Sequence, residues 1–210
     1  MTAPAPPPLE STRERLIAAA GMIFARDGFT NASVRDICQA AGGANVASIK
    51  YHFGDKTGLY REVVLHSIAA VCKRRPTPDL TLPPEDRLRD WLRQFLELTL
   101  IYRRNHPYLT NLMKQELREP TQMLDEVVRQ VIAPMHAMLT GLITELRGGQ
   151  SENSHLHAGI LLSACANLEN SRPILERLGA VLPSEPDSVA RFADQLTHAV
   201  LHGITPPKNQ

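Results

Sequence analysis

Cysteine is scarce in this sequence, with three residues in a chain of 210. Cys38, Cys72 and Cys165 lie far apart, form no Cys-x-x-Cys pair and do not make an even number. Neither a disulfide framework nor a cysteine-based metal site is therefore expected. We interpret the three as buried thiols of a protein in the reducing cytoplasm.

Long apolar runs, signal sequences and catalytic motifs are also missing. No run of about eighteen uncharged apolar residues occurs, and the first residues, MTAPAPPPLE, lack the charged and then apolar pattern of a signal peptide. We therefore expect a protein that is neither secreted nor membrane-spanning. The serine-hydrolase, P-loop, dinucleotide-binding and His-Glu-x-x-His motifs are absent as well, so no enzyme, cofactor or metal is predicted.

The histidines offer one candidate for metal binding. Asp194, His198 and His202 recur every four residues on a helical stripe, which could present a carboxylate and two imidazoles to zinc. Because the opposite stripe is apolar and histidine is favoured near a helix C-terminus, we interpret these residues as a solvated face. His155 and His157 point in different directions on a helix and cannot chelate together.

Positive charge is concentrated near the N-terminus. The formal net charge is only +1, but residues 1 to 75 hold ten Lys and Arg against six Asp and Glu, a net +4. The remaining residues hold thirteen against sixteen, a net −3. This asymmetry favours a DNA-binding head on a neutral or slightly acidic body, although a chance distribution stays open.

Capping signals predict four helices in the N-terminal third. Ser-x-x-acid patterns begin the first two, and an asparagine and an aspartate cap the others. Glycines or prolines end all four, the first of them at a glycine in the left-handed helical conformation. The predicted helices begin at residues 11, 33, 45 and 55 and end before Gly28, at Ala41, at His52 and at Arg75. Residues 1–10, which are rich in proline, are expected to form a disordered arm.

The rest of the chain has the pattern of long amphipathic helices. They are predicted at residues 84–104, 107–118, 121–147, 154–178 and 186–203, and no segment alternates as a strand would. The expected fold class is all-α, with an N-terminal three-helix helix-turn-helix head joined to a larger helical ligand-binding and dimerisation domain. The expected divisions are the arm at 1–10, the DNA-binding domain at 11–55, a connecting helix at 56–75 and the regulatory domain at 84–204.

Two short helices joined by a glycine turn, after a longer helix, form the geometry that places a recognition helix in the DNA major groove. The third helix carries small and hydrogen-bonding side chains rather than a run of Glu and Lys. Such a surface can approach base edges closely. Residues 33–60 read SVRDICQAAGGANVASIKYHFGDKTGLY.

This segment closely resembles the head of the TetR family of bacterial regulators, and the resemblance extends over residues 11 to 75. It implies a homodimeric, cytoplasmic transcription regulator, commonly a repressor that a small molecule releases from a palindromic, double-stranded DNA operator. NVASIKYHFGDK and SRPILERLG also resemble a subgroup, defined by its C-terminal domain, whose members govern drug-sensitivity and transport genes. The positions that match the family pattern are Val34, Ile37, Ala41, Gly42, His52, Phe53, Lys56 and Leu59.

Two features depart from the family pattern. Gly42-Gly43-Ala44 makes the turn one residue longer than the commonest spacing, which leaves the approach angle of the third helix open. Lys50 stands where the family commonly has a tyrosine that touches the phosphate backbone. Lys50 can reach either a phosphate or a guanine edge.

The resemblance assigns roles in the head position by position. It implies phosphate contacts by Ser33, Tyr51, His52 and Lys56, and base contacts by Asn45, Val46, Ala47, Ser48 and Lys50. The alternatives are that Ser33 and Asn45 only cap helices, and that His52 only packs against the first helix. The core of the head is expected to contain Ile37, Ile49, Phe53 and Leu59.

The C-terminal body supplies two further sets of candidates. Apolar stripes on the last two helices predict a four-helix homodimer interface that contains Leu161, Ala164, Cys165, Leu168, Phe192, Leu196, Ala199 and Val200. An apolar cavity is expected to hold an apolar or amphiphilic effector, although plain core is the alternative for most of its candidates. These are Trp91, Phe95, Tyr102, His106, Met113, Met135, His136, Met138 and Asn167. A ligand-insensitive DNA-binding protein is the main alternative function, and a helical enzyme is the third.

Overall fold

The computed structural model describes residues 11–149 and 152–204. Regular structure in these residues is entirely helical, which confirms the all-α class. The arm expected at residues 1–10 lies outside the described residues. The helices are α1 (Thr12–Asn31), α2 (Val34–Ala40), α3 (Val46–Phe53), α4 (Lys56–Cys72), α5 (Pro84–Leu96), α6 (Arg103–Asn105), α7 (Pro107–Arg118), α8 (Gln122–Val127), α9 (Ala133–Leu146), α10 (Ser154–Arg177) and α11 (Pro186–Ile204).

The predicted caps begin the N-terminal helices. The Ser11 hydroxyl accepts a hydrogen bond from the Glu14 amide at 3.2 Å, and the Glu14 carboxylate accepts one from the Ser11 amide at 2.8 Å. This reciprocal pair is the predicted capping box. At the start of α4, Oδ1 of Asp55 accepts from the Gly58 amide at 2.8 Å.

Gly28 interrupts α1, but not in the predicted conformation. Its φ of 78° has the expected sign, whereas its ψ of 170° lies outside the left-handed helical region, and one more turn follows to Asn31. A Cβ atom at this position would lie 3.2 Å from Oε1 of Gln115 on α7. The backbone conformation therefore requires glycine here, and a Cβ atom would in addition have to displace the end of the Gln115 side chain slightly.

Two π-helical turns, Glu97–Tyr102 and Val128–Ile132, join α5 to α6 and α8 to α9 within otherwise continuous helices. The second precedes Pro134, which has no amide hydrogen to donate to the carbonyl of Gln130. That carbonyl lies 3.6 Å from Sγ of Cys72 instead.

The segment Gln122–Leu146 is long and apolar enough to cross a membrane, by length and composition only. The core helices of soluble proteins meet the same criterion.

The described residues form two compact units. The first contains the chain up to Ser67 together with Tyr108–Leu124, and the second contains Ile68–Pro107 and the chain from Asp125 onward. Helix α7, expected in the regulatory domain, thus packs with the head. The predicted functional divisions, a connecting helix at 56–75 and a regulatory domain at 84–204, have bounds different from those of the two compact units, and they stay a prediction.

Each unit has its own apolar core. In the first, α1, α2 and α3 contact one another, and Leu16, Phe24, Ile37, Ile49 and Leu59 are buried. In the second, α5 packs against α9 and α11, and α10 packs against α9. Trp91 and Phe95 stack within this second core, with ring centroids 4.9 Å apart.

Candidate nucleic-acid interface

Helix α3 has one buried face and one open face. Ile49 is its buried residue, and the helix contacts α1 and α2. Val46, Ala47, Lys50 and Tyr51 are exposed, the last to 84%. We call these four residues the recognition surface. Its small side chains permit a close approach to DNA, and its amine and phenol can form hydrogen bonds at the edges.

The turn before α3 accommodates the extra residue through its glycines. Gly42 and Gly43 have φ values of 84° and 78°, which side chains rarely allow. The amides of Gly43 and Ala44 both donate to the carbonyl of Cys38, at 3.1 and 2.9 Å. The longer turn is therefore closed by hydrogen bonds, and α3 begins directly after it.

Ser33 and Asn45 are helix caps, as one of the two interpretations predicted. Oγ of Ser33 accepts from the Asp36 amide at 3.4 Å, and Oδ1 of Asn45 accepts from the Ala47 amide at 2.9 Å. A serine hydroxyl that accepts this bond can still donate its own hydrogen. DNA contacts by these two residues, and by the half-buried Ser48, stay predictions.

Lys56 has a structural partner inside the head. Its Nζ donates to the carbonyl of Thr30 at 3.1 Å and lies 4.9 Å from the centroid of the Phe29 ring. The ammonium group thus stabilises the last turn of α1. Because an ammonium has three donor hydrogens, a phosphate contact remains compatible with this arrangement.

His52 and Phe53 are both half-buried at the end of α3. The His52 ring centroid lies 4.9 Å from that of Tyr51 and 5.9 Å from that of Phe53. Phe53 is therefore not the fully buried core residue that the sequence analysis expected. The Arg13 guanidinium lies 5.5 Å from the Phe53 ring centroid, so a cation covers part of this aromatic surface.

A buried acid, which the sequence analysis did not identify, fastens α7 to α4. Glu116 is 1% exposed and accepts hydrogen bonds from the Tyr60 hydroxyl and from the amide and hydroxyl of Thr121, the latter two at 3.1 and 2.9 Å. Burial and this carboxylate raise the pKa of Tyr60 above its ordinary value. The spacing of the sequence indicates this burial, because Glu116 lies on the same helical face as the apolar residues Leu109 and Leu112.

The residues proposed for an effector pocket lie in different surroundings. Met113 belongs to the first unit and the other eight to the second. Trp91, Phe95 and Met135 are buried, whereas Met138 and Asn167 are exposed. Three further members have specific contacts: the ring centroids of Tyr102 and His106 lie 4.1 Å apart, and Nε2 of His136 lies 2.8 Å from the carbonyl of His155.

Arg103 is a residue of the second unit that sequence reasoning missed. Its Nη1 donates to the carbonyl of Ala166 on α10 at 3.4 Å. Burial lowers the pKa of this guanidinium. No pattern in the sequence distinguishes it from the neighbouring Arg104, which is exposed.

The predicted dimer interface needs a correction on α10. Leu161 and Cys165 are 8% and 2% exposed within the protomer, because that face of α10 belongs to the core of the second unit. Burial raises the pKa of the Cys165 thiol to about 12. The apolar residues on the open side of α10 and at its C-cap are Leu156, Ile160, Ile174 and Leu178, which we call the exposed α10 stripe. Of the other predicted residues, Ala164 and Ala199 are exposed, and Leu168, Phe192, Leu196 and Val200 are half-buried.

Comparison with known proteins connects both parts of the chain to transcription regulators. Residues 16–63 match the model of the bacterial regulatory proteins of the TetR family. Residues 84–204 match the model of the C-terminal domain of the HTH-type transcriptional dual regulator CecR. The two matches cover the recognition helix and most of the second unit.

Individual proteins agree with these matches. The chain is 30% identical to the HTH-type transcriptional dual regulator CecR of Shigella flexneri over 166 residues, 71% of this chain and 72% of that protein. It is 29% identical to the probable HTH-type transcriptional regulator YttP of Bacillus subtilis (strain 168) over 118 residues, 56% of each chain.

A solved structure supports the fold. The putative transcriptional regulator from Pseudomonas aeruginosa PAO1 aligns with a TM-score of 0.67 at 21% identity, over 93% of this chain and 94% of that one. The chain therefore belongs to the TetR family of bacterial regulatory proteins, and it is a DNA-binding transcription regulator with a C-terminal domain of the CecR type.

Proposed function

We propose that this regulator is a cytoplasmic homodimer that represses transcription from a palindromic operator and is released by an apolar or amphiphilic small molecule. The recognition surface is the observation that carries the proposal. Lys50 can donate to the acceptors of guanine, and Val46 and Ala47 can contact a thymine methyl group. Asn45 and Ser48 are proposed at base edges beside them, and Ser33, Tyr51, His52 and Lys56 at phosphates.

The proposed dimer joins two copies through α10 and α11. The exposed α10 stripe replaces Leu161 and Cys165 in the predicted set, which keeps Ala164, Leu168, Phe192, Leu196, Ala199 and Val200. A two-fold axis through such an interface would relate the two heads. The operator would then contain two half-sites whose centres lie about 34 to 36 Å apart, or a multiple of this distance.

The proposed response to an effector uses the path of the chain. The boundary between the units falls within α4, between Ser67 and Ile68. Helix α4 is continuous from Lys56 to Cys72, and its seventeen residues would span about 25 Å. A ligand that shifts its C-terminal end would displace Lys56 and the recognition helix, and an altered separation of the two heads lowers operator affinity.

Selection of bound duplexes from a random DNA pool tests the function. The expected result is an enriched palindrome, whereas a pool without any enriched sequence overturns the proposal. A reporter under the selected operator then decides between repression and the dual regulation for which the Shigella relative is named.

The effector is tested separately, with apolar and amphiphilic compounds that raise the melting temperature of the free protein. An effector that lowers operator affinity tenfold must itself bind the DNA complex tenfold more weakly, a coupling of about 1.4 kcal/mol. Compounds that bind without any change in operator affinity support the ligand-insensitive alternative.

A further inference from the structure

Two imidazoles meet on the open side of α11. The Nε2 atoms of His198 and His202 lie 2.8 Å apart, and their ring centroids are separated by 4.0 Å. Both residues are exposed. At this distance one ring donates its N–H to the nitrogen of the other, so the two nitrogens share one proton. The two Nε2 atoms therefore lie close enough together for both to bind one ion beside the helix.

We propose that this pair binds a divalent transition-metal ion, Cu²⁺ in preference to others, with the metal in place of the shared proton. Two imidazole nitrogens at about 2.0 Å from a metal lie about 2.8 Å apart in cis positions of a square plane, but about 3.3 Å apart in a tetrahedron. The observed separation matches the cis arrangement. This geometry favours Cu²⁺ and Ni²⁺ over Zn²⁺, and Cu²⁺ stands highest in the affinity order of divalent ions.

The surroundings define a two-nitrogen chelate. Oδ1 of Asp194, one turn earlier, lies 3.1 Å from Nε of Arg89 in an ion pair and so already has a cationic partner. The part of the chain that the structure describes has no group of three metal-binding side chains. Water would complete the coordination. The four-residue spacing alone predicted a solvated face, whereas the separation of the two nitrogens is visible only in the structure.

The helix holds the backbones of the two histidines at a fixed spacing. Both lie within the regular helix Pro186–Ile204, which packs against α5. Thr197, immediately before His198, is buried and donates its hydroxyl to the carbonyl of Ala193 at 2.7 Å. Because the backbone is fixed in this way, binding needs only small rotations of two exposed side chains. The expected stoichiometry is one ion per chain.

Titration of the untagged full-length protein with copper(II) chloride at neutral pH, followed by calorimetry and electron paramagnetic resonance, tests the site. We expect an axial spectrum with nitrogen splitting. His198→Gln and His202→Gln should each lower the copper affinity about tenfold or more. Glutamine keeps a polar, exposed side chain, and circular dichroism verifies that each variant is folded.

His66→Gln is the matched control, because His66 is exposed on α4 and lies outside the pair. It should bind copper as the parent protein does. The proposal is overturned if the two pair variants bind copper as tightly as the parent, or if the control loses as much affinity as they do. Zinc affinity equal to copper affinity would also contradict the proposed cis geometry.

Discussion

The hydroxyl of Tyr60 on α4 donates a hydrogen bond to Oε1 of Glu116 on α7, 56 residues further along the chain. The other donors to this acid among the described residues are the amide and hydroxyl of Thr121, so all of them are neutral. A buried carboxylate that lacks a cation depends on such donors, since each replaces a lost bond to water. The contact therefore stabilises the attachment of α7 within the first unit.

Tyr60→Phe should lower the free energy of unfolding by about 1.5 to 3 kcal/mol, the range for a hydrogen bond to a charged group. Urea denaturation measures the change. Tyr51→Phe is the control, because the Tyr51 phenol is 84% exposed and its loss should cost less than about 0.5 kcal/mol. Equal stabilities of the two variants would show that the contact with Glu116 contributes nothing.

The same phenol predicts a loss of stability at alkaline pH. Its pKa in the folded state is raised above the ordinary value of 10.0 by burial and by Glu116. A group with a raised folded pKa stabilises the protein fully below its unfolded pKa, and this contribution is lost as pH rises above that value. Between the unfolded-state and the folded-state pKa of Tyr60, the free energy of unfolding falls by about 1.4 kcal/mol per pH unit. The free energy of unfolding, measured between about pH 9 and pH 11, should therefore fall less steeply with pH for Tyr60→Phe than for the parent. Parallel curves would contradict the assignment.

Local signals in the sequence predicted the local structure well. The hydroxyl of Ser11 and the side-chain oxygen of Asn45 cap helices because a cap depends only on residues two or three positions away. The long C-terminal helices also follow from apolar spacing and turn residues. Gly28 shows the limit of such signals, since the glycine predicted the end of the first helix, whereas α1 continues for one more turn to Asn31.

Contacts between distant segments could not be predicted in the same way. Ile160 and Leu161 are consecutive apolar residues, and a helix turns by about 100° between them. Both sides of α10 carry apolar stripes, so composition alone does not decide which side faces the core. The structure buries Leu161 and exposes Ile160. Tyr60 and Glu116 show the same limit, because neither residue type identifies its partner.

Lys50→Ala and Lys56→Ala should affect DNA binding differently. Lys50 is exposed on the recognition surface, and its loss should relax preference at one base pair by about 1 to 3 kcal/mol. Lys56→Ala should weaken binding to all duplexes by a similar factor. It should also reduce the slope of the logarithm of affinity against the logarithm of salt concentration by about 1. It should also lower stability by about 0.5 to 1.5 kcal/mol, because the bond to the Thr30 carbonyl is lost.

Fluorescence anisotropy with the selected operator and with scrambled duplexes, at several salt concentrations, measures both effects. Lys73→Ala removes an exposed lysine outside the head and serves as the control. Equal losses on every duplex for the Lys50 and Lys56 variants would refute the division into base and phosphate contacts.

The three thiols should react at different rates in the native protein. Burial raises the pKa of Cys38 and raises that of Cys165 to about 12, so neither forms the nucleophilic thiolate near neutral pH. Cys72 is half-buried, 3.6 Å from the Gln130 carbonyl, and should be alkylated first. Mass spectrometry should find one fast site in buffer and three in denaturant. Fast labelling that persists in Cys72→Ser would contradict the buried positions of the other two.

Ile160→Glu should convert the proposed dimer into a monomer. Ile160 is 58% exposed on the exposed α10 stripe, and a carboxylate placed in an apolar interface without a partner costs several kcal/mol. Light scattering should report half the parent mass. Leu80→Glu introduces the same charge at a residue that is 74% exposed in the segment before α5, and it should leave the dimer intact. Leu161→Ala provides the contrast, because Leu161 is buried within the protomer. This substitution should lower the free energy of unfolding by about 2 to 5 kcal/mol. The variant should still be a dimer at temperatures where it is folded. A stable Leu161→Ala monomer together with a dimeric Ile160→Glu variant would return the interface to the other face of α10.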